Sequence, residues 1–558
     1  MQKPKHLLSE WPSTAISGND LLSSCLYSAG IVASKAGKLS PIPTFLVVCV
    51  MYLFRFIYIE VVSAIPLNGG SYNTMLNTTS KRVAAMTAAL AVIAYLATGV
   101  VGAVSASDYL RAQVPSINTV ESAIGILFVF AVLNVLGLSE SAVIALAIFV
   151  LHIMTLLVLI VGSVMFTYKN PQNMWLLSSF FNLSLSILNL CVLPLLGPSG
   201  TIANNNVVLA LMARETLGRH FELWMTIDGF IVLAGSVLTS YVGITGLVRR
   251  LACDRVMPEF LLTENSCRRT NHYIIWLYFV VASSLVVCLN GDIVMLSSVF
   301  SYAFLGLLLL FSGGAILFKL KRSHMPRDTS AAWWKCIVAF LMVFCGFLGT
   351  LLGDPIVSVV FALYFLVVGS LIFVMLERIL LLRLCMFIMK SLCPSKKDKK
   401  IELDATNLSS DSDLDEPLLP RTGALGGRTI RKVTCNRDFF VAHGCRWMQA
   451  IQAINAPPVV FFLKHMSLSL LNKAVRYIRA NEHTENIKIV HVHAPGTPDP
   501  LGFPDLIDYV SIEGTFEPAL VQWLASYWNI STNMMFIRQP DNIDAHKVSL
   551  LGVRVIAS

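Results

Sequence analysis

Residues 60–72 read Glu60-Val-Val-Ser-Ala-Ile-Pro66-Leu-Asn-Gly69-Gly70-Ser-Tyr72 and close the second long apolar run of the chain. Proline removes a backbone donor and crowds the turn before it, so it stops a helix. The glycine pair that follows permits a tight turn and close approach to a neighbour. Glu60 falls ahead of the stop, inside the apolar run, where a carboxylate is costly unless it is paired. Arg55 on one side and Lys81 and Arg82 on the other are the nearest cations in sequence.

Outward from that stretch the composition sets the class. The chain has 558 residues, 55% of them hydrophobic and 13% charged, with a mean hydropathy of +0.69. A soluble protein of this length would leave large apolar patches in water, so the chain reads as an all-α polytopic membrane protein. With about 20 apolar residues needed per crossing, spans fall near 14–36, 42–65, 80–110, 119–137, 140–167 and 173–196, then 221–248, 272–290, 292–319, 332–352 and 355–387. That makes about eleven spans. The opening residues lack the short apolar core and cleavage site of a removed signal peptide, so the first span is expected to act as its own signal. The twelve cysteines are scattered singly, several inside apolar runs, which supports neither a disulfide framework nor a metal site.

Charge gives an independent count of crossings, because short cytoplasmic loops collect Lys and Arg. A cytoplasmic start places Lys81 and Arg82 inside after two spans. The cluster Arg249, Arg250, Arg255, Arg268 and Arg269, and then Lys319, Lys321, Arg322 and Arg327, also ask to be inside, with the tail following. The spans counted above cannot satisfy both halves. One crossing is missing between Phe166 and Trp175.

Glu60, Pro66, Gly69, Gly70 and Tyr72 resemble the signature that ends the second helix of the amino acid, polyamine and organocation (APC) permeases. Tyr109-Leu110 closing a third span is similar too. So is Thr239-Ser240-Tyr241-Val242-Gly243 leading into Arg249-Arg250 and Asp254-Arg255-Val-Met-Pro258, with Arg255 where that family usually has glycine. Together the matches cover most of residues 14–390. The resemblance implies an inverted-repeat, leucine-transporter-like bundle whose broken first and sixth helices meet at the midplane. The first span, with Ser17-Gly18-Asn19-Asp20 and then Ser23 to Gly30, is expected to be broken, but no sixth-helix equivalent is found. The chain passes through Tyr168-Lys169-Asn170-Pro171 straight into what resembles the seventh.

The resemblance also implies a function: secondary active transport of amino acids or related organic cations by alternating access, coupled to H⁺ or Na⁺, with no enzyme activity and no cofactor. Aligning Ser23-Ser24-Cys25 with the family's glycine break makes these residues, with Tyr27 and Asp228, the substrate-binding candidates. Free amides at such a break could hold a carboxylate. Thr239 and Ser240 are the candidate ion ligands, although adjacent hydroxyls in a membrane helix commonly bond their own backbone. His152 reads as a satisfied interior histidine more readily than as a proton relay. Two rivals remain: a cation-chloride cotransporter, and a non-transporting scaffold or nutrient sensor.

Beyond the membrane domain, taken as 1–390, residues 391–431 read as a disordered acidic and basic linker. Asp415, Leu418 and Leu419 within it fit an acidic dileucine pattern that sorting adaptors bind. Residues 432–558 read as a cytoplasmic α/β regulatory domain, a candidate homodimer contact. Strands are expected at 458–463, 488–493, 534–538 and 548–556. Helices are expected after Ser467 and after a Thr515 cap. His491 and His493 are expected at its surface. No glycine-rich phosphate loop occurs there. Both termini are expected in the cytoplasm, in a plasma or endolysosomal membrane.

Overall fold

A computed structural model describes residues 10–36, 39, 41–65, 69–137, 142–169, 206–265, 268–321, 327, 329–353 and 355–392. In the tail it describes 458–463, 468–482, 484, 486–493, 508–513, 515–528, 530–538, 548, 551 and 553–556. The expected span 173–196, Pro66 and the linker with Asp415, Leu418 and Leu419 lie outside the described residues. The chain forms two compact units, residues 1–376 with 516–558, and residues 377–515.

In the first unit the apolar runs become helices. They are α1 (Glu10–Ala36), α2 (Pro41–Ala64), α3 (Gly70–Thr78), α4 (Lys81–Gln113), α5 (Thr119–Val135), α6 (Ala142–Lys169), α7 (Val208–Leu217), α8 (Arg219–Cys253), α9 (His272–Cys288), α10 (Ile293–Lys321), α11 (Trp333–Gly353) and α12 (Pro355–Leu376). Among the described residues seven of these, α2, α4, α6, α8, α10, α11 and α12, contain stretches long and apolar enough to cross a membrane. α5 and α9 are shorter apolar helices. α2 ends at Ala64, just short of Pro66, and α3 begins at Gly70 with Gly69 as its N-cap; their φ angles of 47° and 124° are ones an L side chain would strain.

α1 is one continuous helix through Ser23, Ser24 and Cys25, not a broken one. Those positions hold serine and cysteine where a break needs glycine or proline, and both residues tolerate helical backbone. The last span, expected over 355–387, ends at Leu376. A turn at Glu377 starts a separate helix, α13 (Arg378–Leu392), and that helix belongs to the second unit.

α4 and α8 form the centre of the first unit. The most apolar windows of α4 and α8 are 83% and 61% buried, against 17% in α11 and α12. In a bilayer no hydrophobic force drives helix against helix, so close packing must do it, and small residues permit it. α4 is rich in buried alanines, and its Gly102 meets α8 where an added Cβ would lie 2.4 Å from Ser236 Oγ and 3.2 Å from the Leu233 carbonyl oxygen. At 1.5 Å per residue both helices exceed the roughly 30 Å hydrocarbon core, so they project beyond it or tilt. The same unit contains α15 (Pro518–Tyr527) and the parallel strands β4 (Met535–Arg538) and β5 (Arg554–Ile556). α15 is capped at Glu517, not at Thr515, because Pro518 suits the first helical position.

The second unit contains α13, β1 (Val459–Leu463), α14 (Leu468–Asn481), β2 (Ile487–His493) and β3 (Asp508–Glu513). β2 lies between β1 and β3 and pairs with both in parallel. A parallel pair needs a crossover, which α14 supplies between β1 and β2. β1 is buried along its whole length. β3 was not foreseen. His491 is buried, with Nδ1 2.8 Å from the Leu463 carbonyl oxygen, so the surface expectation fails for it. His493's side chain lies outside the described set.

Gly102→Val forces branched carbons into the α4–α8 contact. Overpacking of this kind costs about 1–3 kcal/mol, and the purified variant is expected to melt at a lower temperature in detergent. Gly125→Val, at a position with open space around it, is the matched control and is expected to melt with the parent.

Candidate functional site

The two motifs singled out in the sequence meet in space. Tyr72, fully buried at the start of α3, donates its hydroxyl to Asp254 Oδ2 at 2.9 Å across 182 residues of chain. Arg250, one helical turn before Asp254, donates Nε to the same oxygen at 3.1 Å. Arg250 Nη1 donates to Asn533 Oδ1 at 2.8 Å, so the tail segment ahead of β4 caps this lock within the same unit. Burial, and then the Asp254 carboxylate, hold the Tyr72 phenol well above its ordinary pKa, which keeps it a donor. Arg255, in the position where the resembled family favours glycine, has φ 57°, a left-handed conformation that glycine adopts more readily.

Glu60 is buried on α2, and its partners are not the cations nearest in sequence. Lys319 of α10 lies 3.1 Å from Oε2, Arg327 in the following loop pairs with Oε1, and the Ala331 amide donates to Oε2 at 2.9 Å. Arg55, Lys81 and Arg82 take no part. Arg55 precedes Glu60 by five residues, a poor match to the three-or-four spacing that brings helical side chains together. Lys319 also sits over the Trp333 ring, 5.4 Å from its centroid. One carboxylate thus ties α2, α10 and the start of α11 together.

A third constellation lies where α1, α4, α6 and α8 converge. His152 Nδ1 on α6 is 2.7 Å from Asp228 Oδ2 on α8, both buried. One turn along, Trp224 Nε1 donates to Thr155 Oγ1 at 3.0 Å and fixes the register of these two helices. Tyr109 of α4 lies with its ring against Gly229 and donates its hydroxyl to the Leu26 carbonyl oxygen of α1 at 3.1 Å. Ser23 is buried beside this point, while Ser24, Cys25 and Tyr27 are half-buried. With α1 continuous, their amides do not form the open cradle expected for a carboxylate. Polar side chains remain as what this stretch offers.

Thr239 and Ser240 lie elsewhere on α8. Thr239 donates to the Ser236 carbonyl oxygen at 2.9 Å, Ser240 to that of Val237 at 2.6 Å, and Ser240 Oγ is also 2.8 Å from the Tyr278 hydroxyl of α9. Ser240 follows Asp228 by twelve residues, a rise of about 18 Å along a helix, so the candidate ion pair and the candidate substrate carboxylate do not share one site. No group of three or more metal-ligating side chains occurs among the described residues. The sequence marked Tyr109 and Asp254 as motif residues and Lys319 as a topology charge, but gave none of them its partner. Each is a polar group in or beside an apolar run, but only the tertiary structure names its partner.

A bundle of long apolar helices with paired charges buried inside it defines an integral, multi-pass membrane protein. A family described as amino acid permease matches residues 8–174 and 171–376, about two thirds of the chain, and the chain belongs to that family. No curated protein matches it. The family is one of membrane transporters.

Tyr72→Phe removes the donor to Asp254 while keeping the ring. A hydrogen bond to a charged group contributes about 1.5–3 kcal/mol, so the variant is expected to unfold at a lower temperature in detergent. An unchanged melting temperature would show that the contact between the motifs is energetically idle.

Proposed function

We propose that this protein is a secondary active transporter that carries amino acids or related organic cations by alternating access, driven by H⁺ or Na⁺. The family match over residues 8–376 supports the reading. So does the convergence at Leu26, where Tyr109 joins α1 to α4 beside the buried Asp228. Substrate meets the α1 side chains Ser23, Ser24, Cys25 and Tyr27, while Thr239 and Ser240 are the candidate ligands of a sodium ion. The basic loops, and with them the Tyr72–Asp254 lock, face the cytoplasm under the positive-inside rule. The acidic dileucine residues Asp415, Leu418 and Leu419 offer a signal to sorting adaptors on that side, and the tail a homodimer contact.

A second reading, a membrane scaffold or sensor that does not transport, has one specific observation in its favour. The family match is in two pieces that meet at residues 171–174, the place where the count of crossings falls one short. The chain then holds its tail at the membrane without a complete translocation path, and ligand-dependent recruitment of partners replaces flux.

Proteoliposomes carrying the full chain decide between them. The transport reading expects uptake of a labelled amino acid or amine above that of empty liposomes, enhanced by an inward H⁺ or Na⁺ gradient. Absence of uptake for all the amino acids and amines, from protein that melts cooperatively, overturns it.

A further inference from the structure

The His152–Asp228 pair is more than the transport reading uses so far. Its side chains are 0% and 3% exposed. The apolar cluster formed by Leu26, Leu156, Leu159, Met225 and Val232 among others packs around this region. A histidine that serves only to pin two helices is complete when both ring nitrogens are satisfied. Here Nδ1 is engaged by Asp228, while Nε2 is buried with no hydrogen-bond partner among the described residues.

Charge arithmetic limits what the pair can hold. With one proton between imidazole and carboxylate in addition to the ring's own N–H, the pair is net neutral, either as imidazolium with carboxylate or as imidazole with carboxylic acid. Removing that proton leaves one negative charge in an apolar shell, and adding another leaves one positive charge. Both are disfavoured there. The described titratable and charged groups around the pair do not supply a compensating cation. α4 presents Tyr109, and α1 carries Cys25 and Tyr27 on either side of Leu26. On α7 the buried face is Val208, Leu209, Ala210, Met212 and Ala213, and Arg214 points instead to Glu222 of α8 at 3.9 Å.

We propose that His152 and Asp228 form a proton-binding site that couples H⁺ movement to the movement of substrate along α1. The inference rests on the transport reading and names its driving ion. The chemistry balances without any other reactant. When α1 parts from α6 and α8, water reaches Nε2 and accepts its proton as hydronium, leaving neutral imidazole that still donates Nδ1–H to the carboxylate. The negative charge left behind is tolerated only while water is present, so the site must take up a proton again before α1 closes. Tyr109 links the two events mechanically, since its ring rests on Gly229, next to Asp228, and its hydroxyl holds the Leu26 carbonyl. Gly18 lets α1 close tightly over Phe149, one turn before His152 on α6, because an added Cβ there would lie 2.4 Å from the ring.

The test compares the parent chain with His152→Gln, Asp228→Asn and the doubly neutral His152→Gln/Asp228→Asn in proteoliposomes. The double variant removes both charges together, so it remains informative if a single change prevents folding. Two transport readouts are taken: exchange of labelled for unlabelled amino acid at equal pH, and accumulation driven by an acidic outside with a pH-sensitive dye within. The parent is expected to accumulate substrate with acidification of the lumen. His152→Gln is expected to keep exchange and lose both accumulation and the dye signal, while Asp228→Asn and the double variant are expected to lose accumulation and the dye signal whatever exchange they retain. Proton-driven accumulation that persists in the double variant overturns the proposal, as does accumulation by the parent on Na⁺ alone with no dye response. A third readout does not need transport: the ¹⁵N shifts of labelled histidine, with the His152 signal assigned by its loss in His152→Gln. A change in its protonation between about pH 5 and 9 supports the proton site even if the transport reading has failed, and an invariant ring overturns it.

Discussion

Hydrocarbon supplies no hydrogen bonds, so a charge carried into a helical bundle must find its partner in the protein. The buried carboxylates described above obey this constraint by reaching across helices. Glu60 reaches from α2 to Lys319 of α10 and to Arg327 in the loop after it, and Asp254 at the end of α8 takes Tyr72 of α3 and Arg250. Asp228 of α8 takes His152 of α6. At the other end of α4 from the Tyr72 lock, Asp108 accepts from Thr119 Oγ1 at 3.2 Å and from Asn206 Nδ2 at 2.7 Å. Each of these carboxylates has at least one partner distant in sequence. Together they fix which helices are neighbours, a choice that apolar packing leaves open because one lipid-like surface fits another equally well.

Between these polar fasteners the helices are held by fit. The small-residue face of α4 against α8 brings two long helices close enough for their backbones to touch, and the bulk of the buried surface gathers around them. That central pair is also where the candidate site lies, with Tyr109 and Gly229 in contact across it. A transporter needs both properties at once. In the transport proposal, rigid fit keeps the scaffold intact while the His152–Asp228 pair lets α1 open to water and close again.

Hydropathy made the helices legible, and their observed ends lie close to the expected ones at α2, α5, α9 and α11 because a stop in apolar composition is a local signal. Pairing was not legible. Nothing near Glu60 points to Lys319, and the nearer cations Arg55, Lys81 and Arg82 were the natural but wrong choice. The break in α1 was read from its many small and polar residues and placed at Ser23, Ser24 and Cys25 through the resemblance, and those positions lack the glycine that would have produced it. In the tail, β1 and β2 stood out as dense β-branched and aromatic runs. β3 did not, because Asp508-Tyr-Val-Ser-Ile-Glu513 is short and polar at both ends. His491 was misplaced for a related reason, since alternation along a strand assigns faces but does not say which face another element covers.

The central claim is that cross-helix charge pairs, more than any local motif, specify this bundle. A double-mutant cycle on Glu60→Gln and Lys319→Met, read as thermal unfolding of the detergent-purified full chain, tests it most directly. The account predicts that the double variant is more stable than the sum of the single losses implies, with a coupling of about 0.5–3 kcal/mol. Strictly additive losses would contradict it.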